Sequence, residues 1–189
     1  MNNMKEHIIE VKGTDIGDQY LQSEKASLLA CHSYQFLKDN KPFATLFTGT
    51  SHSNNRYVVI EMGETVLTIK DESAFFRYEY VLFEQQTKEE VGYFRFGSEL
   101  FGIISGSLTT TENFQFKQVS EWQLFKPSTW EMRKYNLSNH GNSIEYMGVF
   151  NGAAFNGFIN MNGSEKYLEA IVGIFVIDEK YRLDQERTD

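Results

Sequence analysis

The run Leu168–Ile177 is apolar at every position except Glu169, and it constrains the fold more than any other segment. It is the one stretch of the chain that asks to be buried on all sides. It is too short to cross a bilayer, which takes about 20 apolar residues. A helix that is hydrophobic all round belongs in a core. The residues before it read as hairpin after hairpin, so the receiving core is expected to be the inside of a β-barrel.

The segment Ile171–Ile177 is rich in β-branched residues and also reads as a buried wall strand. Three features favour a helix over Glu165–Glu179. Asn162-Gly163-Ser164 is a turn ending in a good N-cap, with Glu165 in the first turn. The stretch is longer than an ordinary strand. Lys180 and Arg182 would lie near the C-terminal end, where positive charge suits the helix dipole.

Three hairpins stand out. Tyr57–Met62 and Thr65–Lys70 flank Gly63-Glu64, and Gly first in a two-residue loop suits a type II′ turn. That loop pairs Ile60 with Leu67 and Val58 with Ile69. Phe76–Glu84 and Glu90–Phe96 flank the loop Gln85–Glu89. This pairs Tyr80 with Phe94 and Tyr78 with Phe96 on an aromatic inner face, and Glu79 with Arg95 on the other. The third turns at Asn151-Gly152, which pairs Tyr146 with Gly157, Gly148 with Phe155 and Ile144 with Ile159. An aromatic ring over a cross-strand glycine suits strongly curved sheet.

Shorter strand candidates are Ala26–Leu37, Phe43–Thr48, Leu100–Leu108, Asn113–Val119, Trp122–Phe125 and Trp130–Asn136. The expectation is a mainly β chain: an antiparallel barrel of about twelve strands around a buried hydrophobic C-terminal helix. Residues Met1–Lys25 are polar and lack sustained periodicity. They read as a flexible arm with at most a short element at Ile8–Val11, ahead of one domain over residues 26–189.

The net charge of −8 argues against nucleic acid, since phosphate binding draws on clustered Lys and Arg. It also disfavours a general attraction to anionic membranes. Cys31 is the sole cysteine, which excludes an internal disulfide and a cysteine-based zinc site. The N-terminus has no apolar signal region. A cytoplasmic protein without a transmembrane segment, metal or cofactor is expected.

Antiparallel strands followed by the stretch from Tyr167 to Glu179, an apolar helix closing on an acidic pair, resemble the tubby-like superfamily. That group includes tubby C-terminal domains, phospholipid scramblases and LURP-one-related proteins. The hairpins Ile144–Met161 and Tyr78–Phe96 are similar in style, and the likeness runs over Ala26–Glu179. The resemblance implies a barrel threaded by its own helix, with a filled interior and no enzymatic activity. Tubby domains bind phosphoinositides through a basic surface cavity, and scramblases act at membranes. This chain departs from both: it has no Lys-x-Arg pair on a strand and no cysteine cluster for acylation. The stretch Asn160–Gly163, where scramblases carry acidic calcium ligands, lacks carboxylates.

Candidate chemistry is sparse. His7, His32, His52 and His140 have no metal-site spacing and read as scattered surface residues. Cys31 and His32 are adjacent on a strand and point to opposite faces, so Cys31 reads as a small core residue. The carboxylate pairs Asp71-Glu72, Glu89-Glu90 and Asp178-Glu179 sit at turns or element ends and read as solvated. The candidate partner-binding residues are Arg133 and Lys134 with Trp130 nearby, together with Arg77 and Arg95, against the plainer reading of a solvated outer face. Trp122 and Trp130 bracket the Pro127 turn and read as core before ligand platform.

Three functions compete. The first is a non-enzymatic binding or adaptor module that meets a protein or lipid headgroup on its outer surface. The second is a lipocalin-like barrel carrying a small apolar ligand, which would show an internal cavity lined by Tyr78, Tyr80 and Phe94. The third, an enzyme, needs a titratable group on an inner face, where the three hairpins place only apolar residues, glycine and tyrosine.

Overall fold

A computed structural model describes residues 6–21, 26–53, 55–72, 78–98, 104–109, 113–120, 128–134, 143–163 and 165–186. They form a mainly antiparallel β structure with one C-terminal helix. The strands are β1 (Glu6–Leu21), β2 (Ala26–Lys38), β3 (Lys41–Ser51), β4 (Arg56–Met62), β5 (Thr65–Asp71) and β6 (Tyr78–Glu84). They continue as β7 (Glu90–Ser98), β8 (Ile104–Thr109), β9 (Asn113–Ser120), β10 (Ser128–Lys134), β11 (Ser143–Asn151) and β12 (Ala154–Asn162). The helix α1 spans Tyr167–Glu186. Each strand pairs with its sequence neighbours and β1 also pairs with β12, the connectivity of a closed barrel.

Local chemistry explains the tight turns. Gly63 takes a φ of 63° while Glu64 keeps an ordinary one, the type II′ pattern, and Val58 meets Ile69 as expected. Asp39 and Asn40 both adopt positive φ, 52° and 61°, which makes a type I′ turn between β2 and β3. The β6–β7 pairing places Tyr80 opposite Phe94, Tyr78 opposite Phe96 and Glu79 opposite Arg95.

Three expectations need correction. The first concerns Glu6–Leu21, read as part of a loose arm, which is a strand laddered to both β2 and β12. Among the described side chains of β1 only His7, Ile9 and Val11 are buried, too few inward positions for alternation to show. The second is the β11–β12 turn, which lies at Gly152-Ala153, because Asn151 pairs with Ala154. Tyr146 therefore faces Ile159, and Gly148 faces Gly157. That register seats the Phe155 ring over Gly148, where a Cβ would lie 2.4 Å from its Cζ. The third is the helix, which runs on to Glu186 and has no basic residue in its last turn. Arg182 instead reaches back to Glu179 within the helix, and no Gly or Pro after Gly173 stops the helix. Arg77, Trp122, Pro127, His140 and the Trp122–Phe125 candidate strand lie outside the described residues.

The inward faces converge on the helix. Ala170, Ile171, Val172 and Ile174–Ile177 have no exposed surface, and full burial of each large aliphatic side chain is worth about 1.5–3 kcal/mol. Tyr80 meets Phe175 edge to face at 5.1 Å between centroids. Tyr146 lies over Gly173 and donates its hydroxyl to the Glu169 carbonyl at 3.3 Å. Among the described residues no helix is long and apolar enough to cross a membrane.

Candidate functional site

Strand alternation sends more than apolar residues inward. On β2, His32 and Tyr34 are in phase with Phe36; on β3, Thr48 and Thr50 follow Ala44 and Leu46; on β4, Arg56 leads Val58 and Ile60. All of these are buried. They meet Asp178 and Glu179, the residues that follow the apolar run on α1, which are 1% and 0% exposed. The acidic pair read as solvated is instead enclosed, and His32 is no surface histidine.

Both carboxylates are fully engaged. Asp178 Oδ1 accepts hydrogen bonds from His32 Nδ1 at 2.6 Å and from the Tyr34 hydroxyl at 2.5 Å. Its Oδ2 accepts from Thr48 Oγ1 and from Arg56 Nη2, each at 3.0 Å. Glu179 accepts from the Tyr80 hydroxyl at 2.8 Å, lies 2.7 Å from Arg56 Nε and pairs with Arg182 at 2.5 Å. Arg56 Nη1 also donates to Thr50 Oγ1 at 2.8 Å. One guanidinium thus bridges two adjacent acids of α1.

Burial by itself would raise the Asp178 pKa, but the His32 hydrogen bond, the Arg56 and His32 charges and the Tyr34 hydroxyl hold it below the ordinary value. Tyr34 is pushed well above its ordinary value by burial and then by the Asp178 charge. Tyr80 is raised by burial and then by Glu179. A general acid needs the opposite arrangement, a carboxyl kept protonated by an apolar pocket. The cluster ties α1 to β2, β3, β4 and β6. Among the described residues no group of three or more His, Cys, Asp or Glu could hold a metal ion.

A pH dependence follows. Because the folded pKa of Asp178 is depressed, its stabilisation is present above the unfolded value, near pH 4, and is lost as pH falls through the folded value. The urea midpoint of the native protein is expected to exceed that of Asp178→Asn at pH 7. The gap should narrow between pH 4 and pH 3, and a gap unchanged over that range would show that ionised Asp178 contributes nothing.

At the other end of the helix, His7 is buried and lies 3.3 Å from Glu165. Lys38 pairs with Glu165 at 3.0 Å and donates to the Tyr167 hydroxyl. These two bonds raise the Lys38 pKa, while the Lys38 bond lowers that of Glu165. His52 is exposed, as are Glu89 and Glu90. Cys31 is a buried free thiol whose pKa burial raises.

Ladder register places the candidate binding residues Arg95 on β7 and Trp130, Arg133 and Lys134 on β10. Arg95 pairs with Glu79 at 2.7 Å and lies over the Tyr93 ring. Ladder pairing carries the Arg95 row through Ser107 and Gln115 to Arg133, three strands and about 14 Å away. Lys134 shares a row with Phe114, Leu108 and buried Phe94, so Arg133 and Lys134 belong to opposite faces. Trp130 pairs with Tyr146.

The outer wall holds a groove of about 460 Å³, open to solvent and lined by Leu21, Phe47, Tyr57, Val59, Val66 and Glu61 among others. Its floor consists of two neighbouring rows of the ladder, Ser33–Phe47–Val59 and Thr45–Glu61–Val66. Phe47 and Tyr57 meet edge to face at 6.0 Å between centroids. Gly49 lies opposite Tyr57 and adds no side chain to that end. Thr45 Oγ1 donates to Glu61 Oε2 at 3.1 Å. Nothing in the sequence marked this groove, because it depends on which strands become neighbours.

No protein-family model, curated protein or solved structure matches this chain.

Proposed function

We propose that this chain is a non-enzymatic binding module of tubby-like type, a barrel plugged by its own helix that engages a protein partner in the outer groove. The observation that carries this reading is the complete burial of Ala170–Val172 and Ile174–Ile177, which leaves the helix where a carried ligand would sit. Of Tyr78, Tyr80 and Phe94, the residues an interior ligand would touch, Tyr80 and Phe94 pack within the hydrophobic core and Tyr78 packs against it. The inward titratable groups that an enzyme would need do exist, but they are spent on one another. The groove between β2 and β5 is concave, half apolar and open, as binding sites are.

Mass spectrometry of the purified protein under native and denaturing conditions tests the reading. The two masses are expected to agree with the bare polypeptide. A small molecule retained only under native conditions would overturn it in favour of an interior carrier.

A further inference from the structure

Among the described residues lining the outer groove, Glu61 is the only charged side chain. Its surroundings are otherwise apolar or neutral, and the whole chain carries a net charge of −8. We propose that the groove receives a lysine or arginine side chain from an extended basic segment of a protein partner. This inference rests on the reading of the groove as the binding site.

The geometry argues for a long side chain with a charged tip. Glu61 is opposite Thr45, and Phe47 is two residues further along β3, a diagonal of about 7–8 Å. Val59 is opposite Phe47 in the next row. An aliphatic stem laid across Val59 and Phe47 would place its cation beside the Glu61 carboxylate and within reach of the Phe47 ring. The Thr45 hydroxyl holds Glu61 Oε2 and so orients the acceptor. Glu64 on the adjoining turn is exposed and adds negative potential at the same end. Tyr57, about 13 Å from Glu61 along β4, forms the opposite apolar end with Leu21. A neighbouring apolar residue of the partner would rest there. A phosphate or carboxylate ligand would meet repulsion at Glu61.

Amide chemical-shift mapping on the full, isotope-labelled chain tests the inference with three acetylated, amidated tetrapeptides: Leu-Lys-Leu-Lys, Leu-Gln-Leu-Gln and Leu-Glu-Leu-Glu. The lysine peptide is expected to shift the amides of Thr45, Phe47, Val59, Glu61 and Val66 saturably. Added salt should weaken it, and Glu61→Gln should weaken it about fivefold while leaving the amide spectrum otherwise folded. If the glutamine peptide binds there as tightly, or Glu61→Gln changes nothing, the cationic inference falls and the groove still stands as a site. If the glutamate peptide binds best, the inference falls as well. If no peptide shifts these amides, the groove assignment falls with it, while the plugged interior is judged by the mass comparison alone.

Discussion

Replacing Arg56 with Ala is expected to lower the unfolding free energy by about 3–5 kcal/mol, because it removes the guanidinium that two buried carboxylates share and leaves their charge under-compensated. Arg56 is 7% exposed, and it is the guanidinium shared by Asp178 and Glu179. Among the described residues, removing it leaves Asp178 with the hydrogen bonds from His32, Tyr34 and Thr48, and Glu179 with Tyr80 and Arg182. The loss should be recovered in large part by the triple change Arg56→Met, Asp178→Asn, Glu179→Gln. That variant removes the charges together and keeps similar shapes, and buried ion pairs often prove neutral against such replacements. Urea denaturation of the single and triple variants measures both. A loss under about 1 kcal/mol for Arg56→Ala would place the cluster in the range of solvated surface pairs and remove the idea that it locks the helix.

Gly173→Ala is expected to destabilise the protein, against the usual sign for a helix. In an exposed helix this change is worth about 1 kcal/mol of added stability. Here the new Cβ would stand 2.0 Å from Tyr146 Oη and 2.3 Å from its Cζ, and Tyr146 has no exposed surface into which to retreat. Overpacking of this kind costs about 1–3 kcal/mol or more, so a net loss of at least about 1 kcal/mol is expected. Combining Gly173→Ala with Tyr146→Leu should cost less than the sum of the two single changes, since the smaller side chain vacates the contact. Thermal or urea midpoints of the four proteins close the cycle. A stabilised Gly173→Ala would mean that the helix does not sit against β11.

Several elements were legible in the sequence because short-range chemistry decides them. Gly63-Glu64 sets its own register, and the Glu79–Arg95 pair stands as read, with a bulge between Leu82 and Phe83 next to the loop Gln85–Glu89, where Phe83 pairs with Glu90. The apolar run Leu168–Ile177 announced its own burial. The Asn151-Gly152 turn misled by one position: Asn151 pairs with Ala154, and Gly152, at a φ of 64°, opens the two-residue loop in place of closing it.

The buried cluster was half visible. Arg56 holds the inward phase of Val58 and Ile60, and His32 and Tyr34 hold that of Phe36, so alternation does assign them to the core face. What alternation cannot say is what faces them across the barrel. Asp178 and Glu179 lie 122 and 123 residues beyond Arg56 in the chain, and a charged pair after an apolar run has every local reason to be solvated.

The sequence by itself determined the Gly63-Glu64 hairpin, the Glu79–Arg95 pairing, the inward phase of Val58, Ile60, Tyr80 and Phe94, and the burial of the C-terminal run, since turn geometry and side-chain periodicity act over a few residues. Only the tertiary structure decided that β1 ladders to β12, that two acids are enclosed with Arg56, and that Phe47, Val59 and Glu61 share an outer groove. Each of those rests on contacts between distant strands or between strand and helix, whose energies depend on the assembled neighbours and on no local pattern.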